Sequence, residues 1–218
     1  MTQHAAAAVY ADPQRMDERT FPRLAAYLAD LPDGLDSFPE CRSKASLHRA
    51  FLDEKPLPPL APGALPEPVR ELIEAPAAVS SWIPTVVHHS VLLVIRELCF
   101  TDDESYCRHA FESQRRIFRG PMYRLLLVAM PVDTVLRGIA YRWKAFHQGT
   151  QLEVLERGEG EARLELRFPP GLYNELGLKG LASGFRAALD AMKATDAKVE
   201  VTEIAAGEAH FRGTWRGA

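Results

Sequence analysis

Two adjacent histidines, His88 and His89, interrupt the most apolar stretch of the sequence, residues 86–95. Histidine can ligate a metal, transfer a proton near neutral pH or supply a polar contact inside an apolar pocket. Adjacent side chains of a helix point about 100° apart, so the two rings are poorly placed to hold one ion together. We expect one ring to face the core and the other to face solvent. The inward ring is either a hydrogen-bonded core residue or the polar contact of a pocket, where it would titrate near neutral pH.

A second group with catalytic side-chain types is Cys107, His109 and Glu112. A cysteine nucleophile needs its histidine base in contact, and residues two apart on a helix face away from each other. The sequence also lacks a nucleophile-elbow motif and a phosphate-binding glycine loop. It therefore predicts no catalytic residues and leaves an enzyme as the last of the alternatives.

The three cysteines, Cys41, Cys99 and Cys107, form no CxxC pair. Their odd number and spacing argue against a disulfide framework and a structural zinc site. The sequence thus predicts no metal and no cofactor. With no signal peptide and no apolar run of about 20 residues, we expect a cytoplasmic protein without a membrane span.

A basic stretch occupies residues 108–144, where eight Lys or Arg face two acids, although the whole chain has a net charge of −3. Its candidate basic face could bind an anionic ligand, an acidic partner or nucleic acid. A solvated helix face whose long stems cover apolar surface explains the same pattern and is favoured over nucleic acid. The residues of this face are Arg115, Arg116, Arg119 and Arg124.

The elements that must position these residues fall into two parts. We expect residues 1–78 to form an N-terminal segment, helical and then proline-rich, that is packed on or tethered to the rest. Its prolines at 56–68 indicate an extended connector, either a linker or a strap that buries its leucines. Residues 79–218 form the predicted core domain. Its helices begin near Ser80, at a capping Thr101 and at Pro131, and the last one runs to about His147.

After Gly149 the apolar period changes from 3.6 to 2, which predicts a hairpin, a long helix and a second hairpin. The helix, at about 173–193, contains Gly177, Gly180 and Gly184. Glycine is costly inside a helix, so their spacing suggests a face packed closely on the sheet. The predicted fold class is α+β, with N-terminal helices and a ββαββ unit that forms an antiparallel sheet.

This order of elements resembles the fold of the haem-nitric-oxide-binding sensors, the 4-vinyl-reductase-type domains and the vesicle-tethering TRAPP subunits. The resemblance is carried by residues 164–172, the glycine-containing helix and residues 199–204. It implies a binding or interaction module. The haem sensors place a Tyr-x-Ser-x-Arg motif before the long helix, where this chain has Phe168-Pro169-Pro170-Gly171-Leu172. His147 is a candidate proximal ligand by position only.

Three further phrases, at residues 38–45, 120–124 and 167–172, resemble a family of paralogous myxobacterial proteins of unknown function. That resemblance implies no activity. We therefore expect a non-catalytic regulatory or sensory module that binds a small apolar or amphipathic ligand, or a protein partner, with a homodimer as an open alternative. The rivals are an interaction scaffold without a pocket and a haem-based gas sensor. The candidate ligand-binding residues are Trp82, His88, His89, Leu92, Tyr141, Trp143 and Phe185.

Overall fold

The computed structural model describes residues 16–55, 57–120, 123 and 130–217. Within them, the helices are α1 (Pro22–Ala29), α2 (Ala45–Glu54), α3 (Glu67–Glu74), α4 (Thr85–Cys99), α5 (Asp103–Arg119), α6 (Val132–Arg137), α7 (Ile139–Trp143) and α8 (Glu175–Ala191). The strands are β1 (Arg42–Lys44), β2 (Trp82–Pro84), β3 (His147–Gln148), β4 (Gln151–Gly158), β5 (Glu161–Arg167), β6 (Thr195–Ala205) and β7 (Glu208–Arg216).

The larger sheet has four antiparallel strands in the order β4-β5-β7-β6. Both hairpins pair as their alternating sequences predict, with Leu152 opposite Leu166 and Val201 opposite Phe211. Leu152, Leu166 and Phe211 are fully buried and form one face of the core. The predicted α+β class and ββαββ unit are therefore confirmed.

A second sheet, which the sequence analysis did not predict, has three short strands in the order β2-β1-β3. Ser43 lies at its centre, opposite Ile83 on one side and His147 on the other. The turn from β3 into β4 passes Gly149, whose φ of +74° lies in the left-handed region. A Cβ there would contact Cys41 Sγ and the Glu40 carbonyl, so only glycine fits this turn.

Three predicted helix boundaries are wrong. α4 begins at Thr85 because residues 82–84 pair as a strand with β1. Asp102, and not Thr101, caps α5, because its side chain accepts a hydrogen bond from the Ser105 amide at 2.7 Å. The helix predicted from Pro131 to His147 is interrupted at Gly138 and ends at Trp143.

The glycine face of α8 does not pack on the sheet, which corrects the sequence-based interpretation. A Cβ at Gly177 would clash with the ring of His89 from α4, and one at Gly184 would lie 3.2 Å from Gln114 of α5. A Cβ at Gly180 would lie 3.8 Å from the Tyr106 hydroxyl of α5. The glycines thus let α4 and α5 approach, whereas other residues of α8 contact β6 and β7.

The N-terminal segment contributes to the same hydrophobic core as the sheet. Phe21 and Leu24 near α1 are fully buried, and Leu65 and Val69 anchor the end of the proline-rich connector. The described part of that connector therefore packs as a strap, while Pro56 and residues 1–15 lie outside the described residues. The division at residues 78 and 79 stays a prediction. No helix in the described part of the chain is long and apolar enough to span a bilayer.

Candidate functional site

A cavity of about 380 Å³ lies among α2, α4, α5, α7 and α8. Leu47 and Phe51 line it from α2, Leu92 from α4, and Leu181 and Phe185 from α8. Because the glycine face of α8 carries no side chains, Gly177, Gly180 and Gly184 also border the space. The larger sheet contributes Leu152 alone among the described residues, so the cavity lies mainly between helices.

The structure brings together six of the seven predicted ligand-binding residues around this cavity and leaves out Trp82. Trp82 lies on β2, where Lys44 Nζ sits 4.4 Å from the centre of its ring. The helix predicted to contain Trp82 is α4, which begins at Thr85, three residues after Trp82. The six that line the cavity are His88, His89, Leu92, Tyr141, Trp143 and Phe185.

Tyr141 occupies the rim of the cavity, because it borders the space and yet is 83% exposed. Trp143, two residues later, is buried and donates a hydrogen bond from Nε1 to Thr150 Oγ1 at 2.9 Å. The short helix α7 thus presents one aromatic residue to solvent and one to the cavity.

His88 and His89 are both buried, which corrects the expectation that one faces solvent. α4 packs against elements on several sides and has few exposed positions. Burial lowers the pKa of His89 to about 4. Burial, with a contribution from neighbouring histidines, also lowers the pKa of His88 well below its ordinary value. Both rings are therefore neutral at pH 7, and neither titrates near neutrality.

The hydrogen bonds of His88 define its tautomer. His48 Nε2 lies 3.4 Å from the Leu72 carbonyl oxygen, which can only accept, so His48 Nε2 carries the proton. His48 Nδ1 is then an acceptor, and His88 Nδ1 donates to it across 3.3 Å. Burial lowers the pKa of His48 to about 4, which keeps it neutral. His88 Nε2 is then an acceptor.

His89 is held by the residue that caps α8. Asn174 Oδ1 accepts from the Gly177 amide at 2.9 Å and from His89 Nε2 at 3.0 Å. The ring also meets Tyr27 edge-to-face, with centroids 4.7 Å apart. His89 is thus fixed from three elements as a packed, hydrogen-bonded wall of the cavity.

His147, on β3, forms another part of the cavity wall. Its ring stacks on Trp143 with centroids 3.8 Å apart and an interplanar angle of 16°. Burial lowers the pKa of His147 to about 3, and its Nδ1 is buried without a hydrogen-bond partner. A metal-bound histidine almost always donates its second ring nitrogen to a partner. The surroundings of His147 are therefore those of a packed neutral ring.

Arg142 supplies the single charged group among the described residues that line the cavity. Its Nη2 contacts Met130 Sδ at 3.1 Å, and its Nε is buried without a partner. No described Asp or Glu forms an ion pair with it, and none lines the cavity. Its guanidinium packs against Gly138, where a Cβ would clash with Nη1. In the sequence, Arg142 is recognisable only as part of the basic stretch at residues 108–144.

The predicted basic face is largely paired within the protein. Arg115 Nε lies 3.3 Å from Glu112 Oε2, and Arg119 Nη2 lies 2.7 Å from Asp190 Oδ2. Arg116 also has a partner, whereas Arg124 lies outside the described residues. Such pairs leave less unbalanced charge than the sequence count suggests.

One group of potential metal ligands lies on the outer face of the larger sheet. Glu165, Glu208 and His210 each place a ligand atom within 4.8 Å of the others. Arg167 already forms an ion pair with Glu165, and His210 Nε2 lies 3.0 Å from Glu208 Oε1. Glu165 Oε1 and His210 Nε2 are nevertheless buried without a hydrogen-bond partner.

The segment before α8 is apolar where the haem sensors carry their polar motif. Phe168 and Leu172 are buried, and the Leu172 carbonyl accepts a hydrogen bond from the Tyr27 hydroxyl at 2.9 Å. Tyr173 follows, and its hydroxyl is buried without a partner. This segment closes the core beside the cavity and offers no guanidinium to a ligand.

No protein-family model matches the chain, and no curated protein matches it by sequence. Solved structures of H-NOX domains match it by shape. A Tt H-NOX variant with two phenylalanine substitutions has a TM-score of 0.54 at 8% identity, covering 80% of this chain and 95% of that one. An H-NOX protein from S. oneidensis in the Fe(II) ligation state has a TM-score of 0.52 at 13% identity, covering 80% and 96%.

A third match is an oxygen-binding H-NOX domain related to soluble guanylate cyclases, with a TM-score of 0.51 at 7% identity, covering 79% of this chain and 92% of that one. The resemblance to a myxobacterial family stays a prediction. At these identities the likeness concerns the fold alone, and this chain has the fold of the H-NOX domains.

Proposed function

We propose that this protein is a non-catalytic binding module, of regulatory or sensory type, that takes a small apolar or amphipathic ligand into the cavity beside α8. The cavity itself is the observation that carries the proposal. Its volume of about 380 Å³ falls within the range of roughly 300–1,000 Å³ found for small-molecule sites. A mostly apolar lining with a few polar atoms is also typical of such sites.

The neutral histidines support a binding role over catalysis. His88, His89 and His147 border the cavity, and burial lowers the pKa of each. A proton-transfer residue works best with a pKa near the operating pH. Neutral imidazoles instead offer hydrogen-bonding atoms to a bound molecule without adding charge.

Haem, which the H-NOX fold suggests, has less support from the described residues than an apolar or amphipathic ligand. The Phe168–Leu172 segment has no side chain that could hold a propionate, and the buried Nδ1 of His147 lacks the partner that a metal ligand normally has. The rival of a scaffold without a pocket has little support either. The large apolar side chains that are exposed in the described part, Val79, Tyr141, Leu155 and Ile204, are scattered along the chain.

A cavity-filling variant with a matched control tests the proposal. Leu92 lines the cavity, whereas Leu98, on the same helix and also half-buried, does not. The probe is N-phenyl-1-naphthylamine, an uncharged apolar fluorophore. We expect saturable one-site binding that Leu92→Trp weakens at least about tenfold and Leu98→Trp leaves unchanged.

Absence of saturable binding to the native protein, or equal weakening by both variants, would contradict the proposal. Incubation of the native protein with haemin, in a parallel experiment, tests the gas-sensor alternative. A stoichiometric Soret band that is lost in His147→Ala would establish haem binding in place of the proposed ligand class.

A further inference from the structure

The charge distribution of the cavity narrows the class of ligand, and this inference rests on the proposed function. The described lining contains no Asp or Glu, and burial keeps His88, His89 and His147 neutral. Among the described residues that border the space, Arg142 is then the one formal charge at pH 7. A cavity of this kind disfavours a cationic ligand and leaves one site for an anionic group.

The guanidinium of Arg142 is poorly satisfied by the protein. Thioether sulfur is a weak acceptor, and Met130 Sδ is the partner of Nη2. The Nε atom is buried without a partner. The side chain is only partly buried, but a guanidinium that has lost part of its water gains from a stronger acceptor than sulfur. The neighbouring arginine Arg137, by contrast, forms an ion pair with Asp133 of its own helix.

A carboxylate is the group that best completes this arrangement. The guanidinium presents its donors in a planar fork that matches the two oxygens of a carboxylate. The apolar side chains of Leu92, Leu181 and Phe185 border the same cavity and suit an aliphatic or aromatic body. We infer that the ligand is a small amphipathic carboxylate, with its carboxylate paired to Arg142 and its apolar part among the helices.

Gly138 has a positioning role in this interpretation. The backbone φ of Gly138 is −107°, which other residues also adopt, so an alanine there brings no backbone strain. Its Cβ would, however, occupy the place of Arg142 Nη1. Gly138→Ala therefore displaces the Arg142 guanidinium without removing its charge. The variant thus distinguishes the effect of the position of this group on binding from the effect of its charge.

The test compares the binding of decanoate with that of decanol and of methyl decanoate. These two probes have the same chain length as decanoate and carry no charge. Titration calorimetry at pH 7.5, where a carboxylate is ionised, gives the affinities. We expect the native protein to bind decanoate at least about tenfold more tightly than the uncharged probes. Arg142→Met should abolish this preference, and Gly138→Ala should reduce it. Arg137→Met is the matched control and should keep it.

Each outcome bears on one claim. Equal affinity for decanoate and decanol in the native protein overturns the carboxylate inference and leaves the proposed function intact. A preference that survives Arg142→Met also overturns it. If none of the three probes binds, the inference fails, and the N-phenyl-1-naphthylamine measurement decides separately whether the cavity binds apolar molecules.

Discussion

The side-chain oxygen of Asn174 accepts one hydrogen bond from the start of its own helix and another from His89 on α4. A carbonyl oxygen can only accept, so His89 carries its proton on Nε2. One atom therefore caps α8, fixes the tautomer of a buried histidine and joins two walls of the cavity.

Replacing Asn174 should cost more than the loss of a helix cap. Removing a capping side chain costs about 0.5–2 kcal/mol, and leaving the buried His89 Nε2 unpaired costs about 1–3 kcal/mol more. We expect Asn174→Ala to lower the free energy of unfolding by about 2–4 kcal/mol in urea titrations. Asp102→Ala, which removes the cap of α5 without exposing a histidine, is the comparison. An equal loss in both variants would show that the His89 bond contributes nothing.

Two glycines of α8 should respond to alanine with opposite signs. A Cβ at Gly177 clashes with the buried ring of His89, whereas a Cβ at Gly180 would lie 3.8 Å from the Tyr106 hydroxyl, an ordinary contact. Alanine is favoured over glycine in a helix by about 1 kcal/mol. Gly180→Ala should therefore stabilise the protein by up to that amount, and Gly177→Ala should destabilise it by about 1–3 kcal/mol. Thermal and urea unfolding of both variants measures this, and a stabilised Gly177→Ala would refute the close contact.

The stability of the protein should fall as the pH drops from about 6.5 towards 4. Burial lowers the pKa of His48 and His89 to about 4 and of His147 to about 3. An unfolded histidine has a pKa near 6.5, so in this interval the unfolded chain binds more protons. Each buried histidine then adds a slope approaching about 1.4 kcal/mol per pH unit, and the slope vanishes above about pH 7.

Urea unfolding at several pH values in this interval measures the slope. His147→Phe should make it shallower. Trp143→Phe removes the stacking partner but no titratable group, so it should lower stability and keep the slope. An unchanged slope in His147→Phe would mean that this ring is protonated in the folded protein as well.

The turn between α4 and α5 should depend on arginine at position 96. The Arg96 guanidinium is buried and donates from Nε to Asp103 Oδ1 and from Nη1 to the Phe100 carbonyl, both at 2.7 Å. Lysine cannot make both bonds from one point. We expect Arg96→Lys to destabilise the protein by about 2 kcal/mol. Arg108→Lys, in an exposed pair with Glu104, is the control and should change stability by less than about 0.5 kcal/mol.

The sequence predicted the second half of the fold well because period-2 alternation indicates directly which residues face the core. The hairpins around Gly160 and Gly207 follow that pattern. The strands of the small sheet span two or three residues each, too few to show a period, and they pair residues that are far apart in the chain. Their pairing is a tertiary effect, and it is what moved the start of α4 and misplaced Trp82.

The cavity was anticipated in part. His88 and His89 could be identified because polar residues are unusual within so apolar a helix. Leu92 could be identified because it lies one helical turn after His88. Arg142 and His147 could not be assigned to the cavity, because the break at Gly138 that orients α7 depends on packing. The glycines of α8 did signal a close approach, but helical spacing does not show which neighbour makes it.

The small sheet joins one wall residue of the cavity to two of the helices that line it. β3 carries His147, β1 leads directly into α2, and β2 leads directly into α4. Backbone pairing in this sheet therefore joins His147 to the first turns of both helices. Those first turns lie far apart in the chain, so three short strands hold together walls of the cavity that the sequence separates.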